Sequence, residues 1–233
     1  MFNDNERKRV MEIVDRYCHE MGIENFLREY IEFKIPESIP NELIRNYYPI
    51  KNEFIEPEES DVAISRFALR DIAIHHCGFA LIDKVFAREL AEYIGNSKCL
   101  EIMAGLGSLS FALREQGVNV ITTDIKDPSW YLCFDRAREW CSVEQIDCIE
   151  AIDKYGDEVD YVICCWPPMG CEDLEMQICE ACKKHDCEII YIGEYGDGCN
   201  FSYEFFNRIT SIGSIDIKRW IGIFDFCSIY RVD

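Results

Sequence analysis

Apolar positions divide the chain into two unlike parts. Val10, Ile13, Val14, Tyr17 and Met21 recur at helical spacing and predict an opening amphipathic helix, followed by a second over Asn25 to Phe33. Pro36 and Pro40 break that pattern, and the acidic stretch from Asn52 to Asp61 reads as a solvated connection, so residues 1–97 are expected to form an N-terminal helical extension. From Lys98 the period changes. Short apolar runs at Cys99–Met103, Val118–Asp124, Ile146–Glu150, Asp160–Trp166, Glu188–Gly193, Ile215–Ile221 and Phe226–Val232 read as strands. Helical stretches are expected at Leu109–Gln116, Trp130–Cys141, Glu172–His185 and Phe201–Ile209. Strands alternating with helices predict an α/β domain over 98–233, with a mostly parallel sheet covered on both faces. Only Gly222 to Asp225 separate the last two strands, too few residues for a crossover, so these two should form an antiparallel hairpin.

Composition narrows this picture. Lys and Arg total 24 against 44 Asp and Glu, a formal net charge of -20, which disfavours nucleic acid as the main partner because phosphate neutralisation supplies most of that affinity. The opening MFNDNERKRV has no apolar segment behind its charges, and no apolar run approaches the roughly 18 residues of a membrane span. A soluble, cytoplasmic protein with no membrane partner is expected. The 14 cysteines are scattered, several of them in buried-strand runs such as Cys164 and Cys165, and read as reduced core residues. Cys179 and Cys182 have zinc-like spacing beside Cys171, His185 and Cys187, but a matching second pair is missing and the stretch is helical, so no metal is assigned. His75, His76 and Cys77 are read as structural too.

The candidate chemistry lies at the carboxyl ends of the strands. The first strand runs into Glu101-Ile-Met-Ala104-Gly105-Leu-Gly107 and then a helix from Ser108, where glycines permit a sharp turn and the helix start favours an anionic group. The second strand ends at Asp124, seventeen residues past Gly107, where a carboxylate can accept from both hydroxyls of a ribose. A dinucleotide fingerprint would require a third glycine where Ser110 stands. Strand four ends in Trp166-Pro167-Pro168-Met169, and strand five in Gly193-Glu194-Tyr195-Gly196-Asp197-Gly198-Cys199. Trp166 either lies against a cationic sulfonium or substrate or plugs the sheet edge; Glu194 either orients a substrate and takes its proton or belongs to an ordinary loop.

Residues Cys77 to Asp233 resemble a family of S-adenosylmethionine (SAM)-dependent methyltransferases. The likeness rests on Gly78-Phe-Ala-Leu-Ile-Asp83 before the first strand, on Trp166-Pro-Pro168, and on a Gly-Glu loop with a following Phe-Phe helix at Gly193, Glu194, Gly198, Cys199, Phe205 and Phe206. The family's loop carries glycine where this chain has Met103. The resemblance implies a Rossmann-like methyltransferase fold, SAM as cofactor with S-adenosylhomocysteine as product, and methyl transfer to a small molecule or protein side chain. On that footing Glu101, Ala104, Gly105, Gly107, Asp124 and Glu150 are expected to hold the cofactor, with Glu150 at the adenine end after the third strand, and Trp166, Pro167 and Glu194 to form the acceptor side. The motif of amino methyltransferases has Asp or Asn in the place of Trp166, which can donate but not accept. Two rivals remain: a non-catalytic binding module on the same fold, and a nucleotide-binding enzyme.

Overall fold

A computed structural model describes residues 12, 15–40 (except 17, 21 and 23), 68–127 (except 72 and 76), 138–168, 172–196, 200–220 and 223–233. Much of the first predicted helix, the acidic connection, His76, residues 128–137, Met169, Cys171, Asp197 to Cys199 and Gly222 lie outside the described residues.

The sheet has seven strands: β1 Lys98–Ile102, β2 Asn119–Asp124, β3 Glu144–Gln145, β4 Tyr161–Cys165, β5 Glu188–Gly193, β6 Ile209–Ile215 and β7 Phe226–Val232. Their spatial order is β3-β2-β1-β4-β5-β7-β6. The first five are parallel neighbours, while β7 enters antiparallel between β5 and β6. This is the Rossmann-like sheet of the methyltransferase type. From β1 the chain winds outward through β2 to β3, then returns to β4 on the other side, so β1 and β4 flank the switch point where such sheets bind ligands.

The helices are α1 Glu24–Ile31, α2 Lys84–Ile94, α3 Ser108–Glu115, α4 Cys148–Tyr155, α5 Glu172–Lys184 and α6 Tyr203–Phe206, with residues 68–71 and 73–75 also helical. Buried strands β1, β4 and β5 fall within one or two residues of their expected ranges because continuous apolar runs mark them. Edge strands differ. Ile146–Glu150 is not a strand: β3 is only Glu144–Gln145, and Asp147 accepts from the backbone N–H groups of Ile149 and Glu150, which starts α4 instead. Ile215–Ile221 is replaced by Ile209–Ile215, whose exposed positions are mostly polar, Thr210, Ser211 and Ser214 beside Ile212, and so carry little apolar signal, while Trp220 turns into the core. The β6–β7 pair is antiparallel as expected, though its connection is ten residues long, 216–225. Phe201–Ile209 contracts to α6, since Ile209 already pairs with Val232. Arg138 to Cys141, the described end of the helix expected over Trp130–Cys141, is not helical.

The chain on both sides of residue 98 shares one hydrophobic core, in which Phe26, Ile35, Leu69 and Leu90 pack together with Leu109, Ile190 and Ile229. Asp83, 2% exposed, ties the segments together: its carboxylate caps α2 through Phe86 N–H, accepts from Ile39 N–H at 3.0 Å and faces the Lys218 ammonium at 3.5 Å. Lys218 also donates to the Ile39 carbonyl at 3.2 Å. Eleven described cysteines are free thiols, nine of them buried, where they act as small core residues.

Candidate ligand pocket at the switch point

A pocket with a cavity volume of about 160 Å³ opens between the ends of β1 and β4. One water needs only roughly 10–15 Å³ of such space, so the pocket admits an organic ligand of many heavy atoms. It brings together Glu101, Ala104, Gly105, Asp124 and Trp166, along with Met103. Gly107, Pro167, Glu150 and Glu194 do not line it, whereas Pro168 does. Residues Cys77 to Ala80 cover one side, held by the Ser108 hydroxyl donating to the Cys77 carbonyl at 2.7 Å.

The loop after β1 is closely determined. Ala104 N–H donates to the Thr123 carbonyl at 3.0 Å, and Gly107 N–H closes a turn onto the Ala104 carbonyl at 2.9 Å. Gly105 and Gly107 have φ of 55° and 75°, the left-handed region that favours glycine. A Cβ at Gly107 would lie 2.9 Å from Cys141 Sγ and 3.1 Å from Val143 Cγ2, so this glycine serves the packing of the loop onto the sheet. Asp124 accepts from Gly105 N–H at 2.8 Å and from Lys126 N–H at 2.6 Å, one on each oxygen. Burial raises its pKa above the ordinary carboxylate value against the pull of those two donors. Each carboxylate oxygen keeps a further acceptor site.

Glu101 is 1% exposed and accepts from both the backbone N–H, at 3.0 Å, and the hydroxyl of Ser110. Burial pushes its carboxyl up to about 7 despite those bonds. It therefore caps α3, whose N-cap residue, Gly107, has no side chain to do so. Ser110 supplies that bond at the position where a dinucleotide loop would want glycine.

Trp166 ends β4 with its N–H on the Ile192 carbonyl at 2.7 Å and φ at 51°. Met103 ends β1 with φ at 54°. Left-handed backbone at a large side chain costs about 1–3 kcal/mol and gathers at functional sites; here two cases sit on adjacent strands at one pocket. The Trp166 ring is stacked on Phe79, with centroids 5.3 Å apart, and the Arg70 guanidinium carbon lies 5.7 Å from its centroid.

Two residues organise this side without having been foreseen. Asn200, 2% exposed, accepts from Glu194 N–H at 2.9 Å and donates to the Pro167 carbonyl at 2.7 Å, so it clamps the Trp-Pro-Pro turn to the Gly-Glu loop. Gly193 makes room for it, since a Cβ there would lie 2.6 Å from Asn200 Oδ1. Asp225 is wholly buried, and burial lifts its carboxyl to about 7. No sequence signal distinguished either residue from an ordinary polar loop position. Glu194 itself is half-buried outside the pocket lining, one oxygen accepting from Phe224 N–H at 2.8 Å. Glu150 lies exposed in the first turn of α4.

Among the described residues, no group of three or more His, Cys, Asp or Glu is arranged to hold a metal ion, and no helix is long and apolar enough to cross a membrane. His185 is engaged by Asp157 at 2.6 Å and Asp153 at 3.3 Å, and Cys179 and Cys182 are buried.

Strand order and pocket position thus define a Rossmann-like fold of the methyltransferase type with a ligand pocket at its switch point. No family model and no curated protein matches the chain. Solved structures similar to it include magnesium protoporphyrin IX methyltransferase from Synechocystis with bound SAM, at 13% identity over 72% of this chain and 84% of that one, with a TM-score of 0.45. A TehB-like SAM-dependent methyltransferase from Corynebacterium glutamicum is similar at 18% identity over 64% and 87%, TM-score 0.41. TehB from Haemophilus influenzae is similar at 15% identity over 70% and 67%, TM-score 0.44.

Proposed function

We propose that the protein is a methyltransferase that binds SAM at the β1/β4 switch point and passes its methyl group to a nucleophilic atom of a small molecule or protein side chain. The observation that carries this reading is the convergence of the glycine loop, Asp124 and the Trp-Pro-Pro turn on one pocket. The residues present fit the cofactor. Asp124 has acceptor sites left for ribose hydroxyls after serving Gly105 and Lys126. Gly105 and Ala104 offer close backbone approach, and Glu101 faces the methionine end. Since Glu150 stands outside the lining, the adenine end falls to Ile125 and Asp127, which belong to it.

SAM supplies an activated, positively charged methyl donor, so the chain's task is alignment and exclusion of water. Trp166 and Pro168 wall the acceptor side; Pro167 acts indirectly, through the carbonyl that Asn200 holds; Glu194, outside the lining but tied to the same clamp through its N–H, is assigned to orienting the acceptor. The charge of -20 favours an acceptor other than nucleic acid, and the free buried thiols favour the cytoplasm.

Calorimetric titration with SAM, S-adenosylhomocysteine and NAD tests the reading. Tight binding of the two sulfur compounds and not of NAD is expected; binding of NAD alone overturns it in favour of a nucleotide enzyme. A non-catalytic module is the second reading, favoured by the Met103 side chain in the loop, and turnover of SAM with any acceptor excludes it.

A further inference from the structure

Behind the pocket wall lies a pair of polar groups that the proposed chemistry has not yet used. The indole N–H of Trp166 and both carboxylate oxygens of Asp225 are buried without an aligned hydrogen-bond partner among the described residues. The two side chains are nonetheless close enough for the indole to pull the acidity of Asp225 back toward its ordinary value. Backbone pairing explains the proximity: Trp166 N–H rests on the carbonyl of Ile192 in β5, while Phe226, the residue after Asp225, pairs with Gly193 of the same strand. The end of β4 and the start of β7 therefore flank one point of β5. Phe224 N–H, on a Glu194 oxygen at 2.8 Å, fixes the turn from the other side.

An unmet buried indole N–H beside an unmet buried carboxylate costs stability, and a bond between the two would remove that cost. We propose that Asp225 is a positioning residue that works through Trp166: as a carboxylate it accepts the indole N–H, fixes the ring in the pocket wall, and makes that wall prefer a cationic ligand to a neutral one of the same shape. A carboxylate on the indole nitrogen adds to the negative character of the ring, which attracts cations. In the proposed reaction the donor is a sulfonium cation and the product a neutral thioether, so the same device would hold SAM and release its product. This inference rests on the methyltransferase reading for its choice of ligands.

The charged and titratable groups facing Asp225 are known. Glu194, from the loop after β5, raises its pKa; Arg70, from the helical segment before α2, and Arg219, from the β6–β7 connection, lower it. Cys165 on β4 and Tyr191 on β5 also feel its charge, but burial pushes both far above neutrality, so they stay protonated. With its carboxyl at about 7, Asp225 changes charge near neutral pH.

Calorimetry of SAM and S-adenosylhomocysteine across a pH series provides the first arm of the test. The two ligands carry the same titrating groups and differ at the sulfonium, so the part of their affinity ratio's pH dependence that Asp225→Asn removes isolates the effect of Asp225 on that charge. In the wild-type protein the ratio should shift toward SAM by about three- to tenfold between about pH 6 and about pH 8.5. In Asp225→Asn that shift should be lost, leaving only the pH dependence of the free ligands. Glu101, lining the same pocket with its carboxyl also near 7, would produce a rise that survives in the variant; that result overturns the proposal, as does a flat wild-type ratio.

Nuclear magnetic resonance of the indole N–H groups needs neither ligand nor variant at Asp225. The Trp166 signal, assigned by its loss in Trp166→Phe, should move downfield as pH rises through about 7, and a stationary signal overturns the proposal. Should neither sulfur compound bind, the methyltransferase reading fails, and the indole signal alone decides the link between Asp225 and Trp166.

Discussion

The two halves of the pocket treat their polar groups in opposite ways. At the ends of β1 and β2, both Asp124 oxygens are met by Gly105 and Lys126 and one Glu101 oxygen takes both bonds from Ser110, so the glycine loop is fixed before any ligand arrives. At the end of β4 and the start of β7, the indole N–H of Trp166 and the carboxylate of Asp225 are buried unmet. A preformed half suits a ligand that is the same in every turnover. The other half retains an uncompensated cost, and such cost persists where the surrounding structure enforces it and a bound partner relieves it.

Four substitutions test this contrast, in order of expected effect. Asn200→Ala removes both bonds of the clamp and strands a half-buried N–H and a buried carbonyl, so unfolding in denaturant should show a loss of about 2–4 kcal/mol. Affinity for SAM should meanwhile change by less than about threefold, because the preformed half does not depend on the clamp; a large loss of binding would mean that the halves are one unit. Asp124→Ala should do the reverse, weakening SAM at least about tenfold in calorimetry, the scale of a charged hydrogen bond.

Third is the response of stability to pH. Unfolded, the Asp225 carboxyl ionises near its ordinary 3.8; folded, it keeps its proton to about 7. The folded state thus binds the extra proton between those values, and the stability this contributes is full below about pH 4 and is lost as pH rises through about 7. Relative to wild type, Asp225→Asn should gain a few degrees in thermal midpoint between about pH 5 and about pH 8. A constant difference would show that Asp225 is already satisfied. Smallest is Met103→Gly, which relieves the left-handed φ at the cost of a more flexible loop, for a net change under about 1 kcal/mol. SAM should bind this variant at least as well as wild type by calorimetry, and weaker binding would show that the Met103 side chain belongs to the site.

The preformed half was legible in the sequence; of the other half Trp166 and its Pro-Pro turn were legible, but Asn200 and Asp225 were not. Lys98 to Asp124 announces a strand, glycine loop, helix, strand and acid within one short stretch, and the bonds of Glu101 to Ser110 and of Asp124 to Gly105 lie inside it. Asn200 meets Pro167 across 33 residues, and Asp225 reaches Trp166 from another strand end. Nothing local marks an Asn or Asp that matters because of burial. The same reasoning covers the fold: β4 and β5, buried on both faces, read as apolar runs, whereas β3 is two residues long and β6 is an edge whose exposed positions are mostly polar. Glu150 was misplaced because a helix capped by Asp147 presents Ile146, Cys148 and Ile149 as a brief apolar run too.

The bond between Lys218 and Ile39 spans 179 residues, which bears on how the chain must be made. Synthesis at about 5–20 residues per second leaves Ile39 waiting roughly ten to forty seconds for Lys218, and Phe26 about as long for the ring of Trp220 against which it packs. For that interval the first apolar segments have no final resting place. Folding cannot be completed from the N-terminus forward; the last hairpin closes it. Truncation just short of that hairpin would therefore unseat the beginning of the chain as well as its end, and a nascent chain stalled there would be a ready client for chaperones.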